Sequence, residues 1–176
     1  MHRNLGFGPT PSLPFFMPSA RILIITSGHP CRNPRPVKEA TTLAQAGYDV
    51  TLLYVRNHPP SLAADASLLK DAPYRTHAID LLNKTLSGRL RSWRLRSATK
   101  ISRLLNQFGL HLPQSLGGAL PLLAAAKTLP ADLTIVHNEA PHWVGTKLLA
   151  LKRRVAADIE DWHSEDLLPH DRLQRP

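Results

Sequence analysis

One cysteine, Cys31, stands in the 176 residues. A single thiol closes no internal disulfide, and a four-cysteine metal framework is excluded. That usage fits a reducing compartment, so a cytoplasmic location is the expectation. No run of about 18 apolar residues occurs, so no segment reads as a bilayer span. The longest apolar stretch, 116–126, carries Gly117, Gly118 and Pro121 and reads as a buried helix with its preceding loop. The apolar patch at 13–17 is too short and too proline-broken for a signal peptide. Residues 1–19 read as a flexible tail, with Met17 as an alternative start. Acidic residues are also scarce.

There are 13 Asp and Glu against 22 Lys and Arg, a formal net charge of +9. The imbalance is uneven: residues 1–157 hold 20 basic and 7 acidic side chains, and residues 158–176 hold 2 and 6. A basic body points to an anionic partner, whether a membrane surface, a phosphate-bearing substrate or nucleic acid. Nucleic acid is the weakest of the three, because no aromatic-lined basic sheet or recognition motif is present. The length fits one domain. A hydrophobic content of 43% with 20% charged residues suits a buried core.

The pattern along the chain alternates between strand and helix. Residues 20–26 (ARILIIT) form a continuous apolar run, the signature of a strand buried on both faces in a parallel sheet. Pro34 and Pro36 suit a first helical turn. Val37, Ala40, Leu43 and Ala44 then give helical spacing, and Gly47 serves as the stop. Residues 49–55 (DVTLLYV) give the next strand. Residues 57–73 read as a loop with a short helix, and 74–79 as a third strand. Helices are expected over 85–108 and 120–129. Strand 132–137, helix 141–152 and strand 155–160 follow. Alternating strands and helices predict an α/β fold, a Rossmann-like doubly wound and mostly parallel sheet. A further helix normally follows such a last strand, so the fold is expected to be incomplete at its C-terminal end.

Ligands of open α/β sheets sit outside the carboxyl ends of the strands. Three such ends are polar here. They are Ser27-Gly28-His29-Pro30, His137-Asn138-Glu139-Ala140-Pro141 and Asp161-Trp162-His163-Ser164-Glu165. All three are expected to converge on one crevice. The first loop is neither G-x-G-x-x-G nor G-x-x-x-x-G-K-[ST], which disfavours a dinucleotide and excludes a P-loop. Gly28 lets backbone N–H groups approach a phosphate, and the helix after it adds a positive dipole end. A plain turn explains a lone glycine equally. Arg35 and Glu39 are spaced as an i,i+4 ion pair. His137 and His163 suit sugar hydroxyls or developing charge, or else are structural histidines at strand ends.

The stretch Ser27-x-x-Pro30-x-x-x-Pro34-Arg35-x-x-x-Glu39-Ala40-x-x-Leu43-x-x-x-Gly47-Tyr48-x-Val50 resembles the opening of family-4 glycosyltransferases, with Asn33 where Asp is common. Asp132-Leu133-x-x-x-His137-Asn138 is similar to that family's later strand end. Asp158-x-x-Asp161-Trp162-His163-Ser164-Glu165 is similar to its Asp-x-His-Glu segment, with Trp162 and an inserted Ser164 as departures. The resemblance spans about residues 20–166. It implies the N-terminal, acceptor-side half of a retaining GT-B enzyme, with 167–176 a truncated tail. It implies a nucleotide-sugar donor as substrate, no bound cofactor or metal, and a sugar or lipid-linked acceptor. His137 would contact the transferred sugar. Gly28, His29, Arg35, Asn138, Glu139, Asp161 and His163 would line the substrate and phosphate site. The family's donor-binding glutamates have no counterpart here, so the donor domain is expected to be missing or separate, and the chain inactive alone. The alternative is a non-catalytic membrane- or acceptor-binding subunit that recruits a donor-binding chain.

The basic helix over 85–108 carries an apolar stripe of Leu86, Leu90, Trp93, Ile101, Leu104, Leu105 and Phe108. Arg89, Arg91, Arg94, Arg96, Lys100 and Arg103 crowd its other faces. With Trp93 among them, these cations are candidates for docking peripherally on an anionic, inner membrane surface. The same pattern also fits a stripe packed on the sheet with the cations in solvent. His137 and His142 are five apart with Pro141 between them, so they do not share a helical face as zinc ligands. Asp161, His163, Glu165 and His170 are the remaining cluster weighed for a metal and set aside.

Overall fold

The computed structural model describes residues 19–82, 86–110 and 112–159. The tails expected at 1–19 and 167–176 lie outside these residues but for Ser19. So do Asp161, His163, Glu165 and His170, and the side chains of Arg89 and Arg91.

Among these residues five strands are interspersed with five helices, two of them in succession between the third and fourth strands. They are β1 (Arg21–Ile25), α1 (Pro34–Gln45), β2 (Asp49–Arg56), α2 (Leu62–Leu69), β3 (Arg75–Asp80), α3 (Leu86–Asn106), α4 (Ala119–Thr128), β4 (Leu133–His137), α5 (Glu139–Ala150) and β5 (Val155–Asp158). Short 3-10 turns lie at Pro30–Arg32, Pro59–Ser61 and Pro113–Leu116. The sheet order is β3-β2-β1-β4-β5, and all four pairings are parallel. This is a Rossmann-like sheet. The chain winds outward from β1 to β3, then returns to β1's other side with β4, so the switch point lies between β1 and β4.

The central strand explains the apolar run. Ile22 and Ile24 pack with Ala40, Leu52 and Ile135 under α1. Leu23 and Ile25 face the other way, onto Leu122, Val144 and Leu148 of α4 and α5. Alternate residues point to opposite faces, and both faces are covered, so no position is left for a polar side chain. Each fully buried Leu or Ile contributes roughly 1.5–3 kcal/mol by leaving water. The edge strand β3 begins with three exposed residues, Arg75, Thr76 and His77.

Local signals set the helix ends. Gly47 adopts φ +92° after α1. The N–H groups of Gly47 and Tyr48 donate to the carbonyls of Ala44 and Leu43 at 3.0 and 3.1 Å, a Schellman stop that favours glycine at the left-handed position. The helix expected from 141 begins at Glu139 instead. Pro141 falls in its first turn, where a missing N–H costs no intrahelical bond. At the amino edge of the sheet, Arg21 grips Asp132. Its Nη2 donates to Oδ1 at 2.8 Å and its backbone N–H to Oδ2 at 2.8 Å. This clamps β1 to β4 and places Asp132 at the end of the sheet away from the switch-point loops.

Candidate functional site

The loop after β1 is held from within. His29 is 2% exposed. Its Nδ1 lies 2.5 Å from Asp65 Oδ2, and its Nε2 accepts the backbone N–H groups of Asn57 and His58 at 3.1 and 2.9 Å. Nε2 is therefore the unprotonated nitrogen and Nδ1–H the donor. Both nitrogens of His29, expected in the phosphate site, are engaged by Asp65 and by the backbone of Asn57 and His58. Asp65 also accepts the Cys31 N–H at 2.9 Å. Burial pushes the Asp65 carboxyl up. The hydrogen bonds from the Cys31 backbone, the Cys31 thiol and His29 outweigh it and hold the group below its ordinary value. Burial, before any neighbour, pushes the Cys31 thiol up, so it stays protonated near neutrality and is a poor nucleophile.

Gly28 is required by a close approach. A Cβ there would sit 2.9 Å from Asn33 Nδ2, and that amide donates to the His29 carbonyl at 2.9 Å. Asn33, the departure noted in the sequence motif, thus shapes the loop that Gly28 opens.

The end of β4 is equally tied down. His137 is fully buried. Its Nε2 lies 2.7 Å from Glu39 Oε2 and its Nδ1 3.2 Å from Asp158 Oδ2. Asp158 in turn meets Arg35 Nη1 at 3.4 Å, and its carbonyl lies 3.0 Å from His142 Nε2. The spacing of Arg35 and Glu39 suggested one local pair. The structure sends them to Asp158 and His137, welding α1 to β4 and β5. His137, expected to contact the transferred sugar, has no exposed surface and is enclosed between Glu39 and Asp158.

Asn138 follows with φ 69° and ψ 171°, a region that only glycine enters without cost. Its side chain is what binds it there: Oδ1 accepts the Thr26 hydroxyl at 2.9 Å and lies 3.5 Å from Ser27 Oγ. The two switch-point loops are thereby bonded to each other. Above them opens a cavity of about 390 Å³ lined by Ser27, Gly28, Asn57, Arg103, Asn138 and Glu139, with the turn at Gly117 and Gly118 opposite. Asn138 also caps α5, so the dipole end of that helix faces this space. The chain leaves β5 on the same edge of the sheet. Asp161 and His163, expected on the third loop, lie beyond the described residues.

Helix α3 turns an unexpected face inward. Ser92, Ser102 and Asn106 are buried, whereas Leu90, Trp93, Ile101, Leu104 and Phe108 are exposed, Phe108 by 74% and Trp93 by 65%. The stripe is therefore not packed on the sheet. Arg94, Arg96 and Lys100 are exposed beside it. The helix leans on the 3-10 turn at Pro113–Leu116, where Arg103 Nε donates to the Ser115 carbonyl at 3.3 Å.

Sequence reasoning missed Asp65, Thr26 and Asn57. None stands in a motif, and each matters only through the partner that the fold brings to it. Among the described residues no cluster of three His, Cys, Asp or Glu is placed to hold a metal, and no helix is long and apolar enough to cross a membrane.

Sheet order and switch-point cavity together define a Rossmann-like α/β domain with its candidate site at the carboxyl edge. Neither a protein-family model nor a curated protein matches the sequence. Among solved structures, the chain is similar to the C-terminal domain of the PF1911 hydrogenase from Pyrococcus furiosus, seen twice. Identities are 13% and 14% with TM-scores of 0.42, covering 80% and 86% of this chain and 91% and 100% of those chains. It is also similar to Arabidopsis thaliana UGT89C1 complexed with quercetin, at 13% identity and a TM-score of 0.45. That match covers 88% of this chain and 40% of the other. At these values the likeness assigns no activity.

Proposed function

We propose that this chain is the acceptor-side wall of a GT-B sugar-transfer enzyme, of the retaining family-4 kind its motifs resemble. The observation that carries the reading is the junction of two loops. The Gly28 loop and strained Asn138 are bonded across the switch point, over a polar cavity backed by the amino end of α5. Backbone N–H groups and a helix dipole at that place suit a diphosphate on which charge develops as the sugar leaves. Glu139 and Asn138 supply polar atoms for sugar hydroxyls. His137, Glu39, Asp158 and Arg35 hold the wall in register rather than touch the sugar. The donor-binding wall belongs to another domain or chain, so these 176 residues alone turn over no nucleotide-sugar.

Backbone amide shifts during titration with UDP-glucose and GDP-mannose test this. Perturbations are expected to cluster at Ser27, Gly28, Asn138 and Glu139, with no sugar released. Perturbations confined to the amino edge of the sheet, around Arg21 and Asp132, would overturn it, as would donor hydrolysis by the purified chain.

The exposed stripe on α3 favours a second reading, a non-catalytic subunit that docks on an anionic membrane and recruits a donor-binding chain. Trp93 and Phe108 would enter the interface while Arg94 and its neighbours meet lipid phosphates. Co-sedimentation with phosphatidylglycerol vesicles but not phosphatidylcholine vesicles supports it; equal binding to both removes its electrostatic part.

A further inference from the structure

A second crevice, of about 450 Å³, runs between α3 and the turn at Gly117 and Gly118. It shares Asn57, Arg103, Gly117 and Gly118 with the switch-point cavity, so the two adjoin. Three cations line it, Arg96, Lys100 and Arg103, and no carboxylate does among the described residues. Arg96 and Lys100 have no carboxylate partner among the described residues. Like charges gathered around a concave space repel one another unless an anion sits among them.

Two further observations point to the same occupant. Ser92 lines this crevice and is 4% exposed, yet its Oγ has no hydrogen-bond partner among the described residues. A buried hydroxyl without a partner is destabilising, and an acceptor oxygen arriving in the crevice would satisfy it. On the opposite side, Gly118 is the cap residue of the ten-residue helix α4 and has no side chain to satisfy the first N–H groups. Leu81 and Leu95 complete the lining with apolar surface.

We propose that this crevice binds a phosphate monoester or diester, its oxygens held by Arg96, Lys100 and Ser92, and that the ligand is the acceptor whose other end reaches Asn138 and Glu139. The role as acceptor rests on the sugar-transfer reading; the phosphate site itself does not. Guanidinium and ammonium groups together fit a tetrahedral anion from two sides, and the leucines take the carbon skeleton beside it.

The test is calorimetric titration of the whole chain with decyl phosphate, glucose 1-phosphate and decyl maltoside. Both phosphates are expected to bind and decyl maltoside not. Tighter decyl phosphate identifies a lipid-linked source, and tighter glucose 1-phosphate a soluble one. The paired substitution Arg96→Ala with Lys100→Ala should weaken phosphate binding about thirty-fold, whereas Lys38→Ala, on α1 and outside the crevice, should leave it unchanged. All three residues are exposed, and circular dichroism of each variant checks whether it folds. Equal weakening by Lys38→Ala would show diffuse attraction to a basic surface and overturn the site. So would binding that survives the paired substitution. Phosphate binding that depends on Arg96 and Lys100, without shifts at Ser27 and Asn138 on adding nucleotide-sugar, would uphold the site and count against sugar transfer.

Discussion

Glu39 Oε2 and His137 Nε2 lie 2.7 Å apart, although 98 residues separate them in sequence. One comes from the middle of the first helix and the other from the last residue of β4, so the contact fixes the height at which α1 crosses the sheet. Replacing Glu39 with alanine leaves a buried ring nitrogen without this partner. A loss of about 1–3 kcal/mol is expected, read as a lower urea midpoint. Glu39→Gln, which keeps an oxygen in place, should lose less. An unchanged midpoint in Glu39→Ala would mean the contact carries no stability.

Asp65 is the pivot of the first loop. Its side chain is 3% exposed, and it receives both His29 and the Cys31 N–H. Asp65→Ala strands both groups in the interior, with an expected cost of about 3–5 kcal/mol. Loss of protection from hydrogen exchange at the Cys31 amide should accompany it. Retained protection at that amide would show that the loop is held by other contacts.

Acid should act at the amino edge of the sheet. The Arg21 side chain, then its backbone N–H, hold Asp132 at about 2 against an ordinary 3.8. The folded value lies below the unfolded one. The contribution is therefore complete above the unfolded value, and it is lost as pH falls from about 4 toward 2. Asp132→Asn should lower stability near neutrality and flatten the profile across that window, so that variant and parent converge at low pH. Profiles of equal slope in variant and parent would remove Asp132 from the acid response.

Asn138 offers a test of strain against function. Glycine at this position relieves a backbone cost of about 1–3 kcal/mol and forfeits the Thr26 bond, worth about 1 kcal/mol. Asn138→Gly should therefore be as stable as the parent or more so, while ligand-induced shifts at Ser27 and Glu139 diminish. A clear destabilisation would indicate that the left-handed geometry is comfortable and the Thr26 bond dominant.

Much of the scaffold was legible because parallel strands covered on both faces have no choice but continuous apolar runs, as residues 22–25 and 52–55 show. Gly47 was legible because its left-handed geometry is a local requirement. The orientation of α3 was not. Its apolar stripe is a valid helical pattern, but the row at Ser92, Leu95, Thr99, Ser102 and Asn106 has the same period, and only packing against the Pro113–Leu116 turn selects the inner one. The same limit applies to His29 and His137. Each was visible at a strand end, but neither could be told from a ligand contact until Asp65, Glu39 and Asp158 were in place.

Sequence by itself determined the strands, the helices and the parallel sheet with its polar carboxyl edge, because hydrophobic period and turn chemistry act over a few residues. Tertiary structure alone decided which polar groups face the cavity and which face one another. Those choices join residues 28 to 123 positions apart. They depend on where whole elements come to rest, which no local pattern encodes.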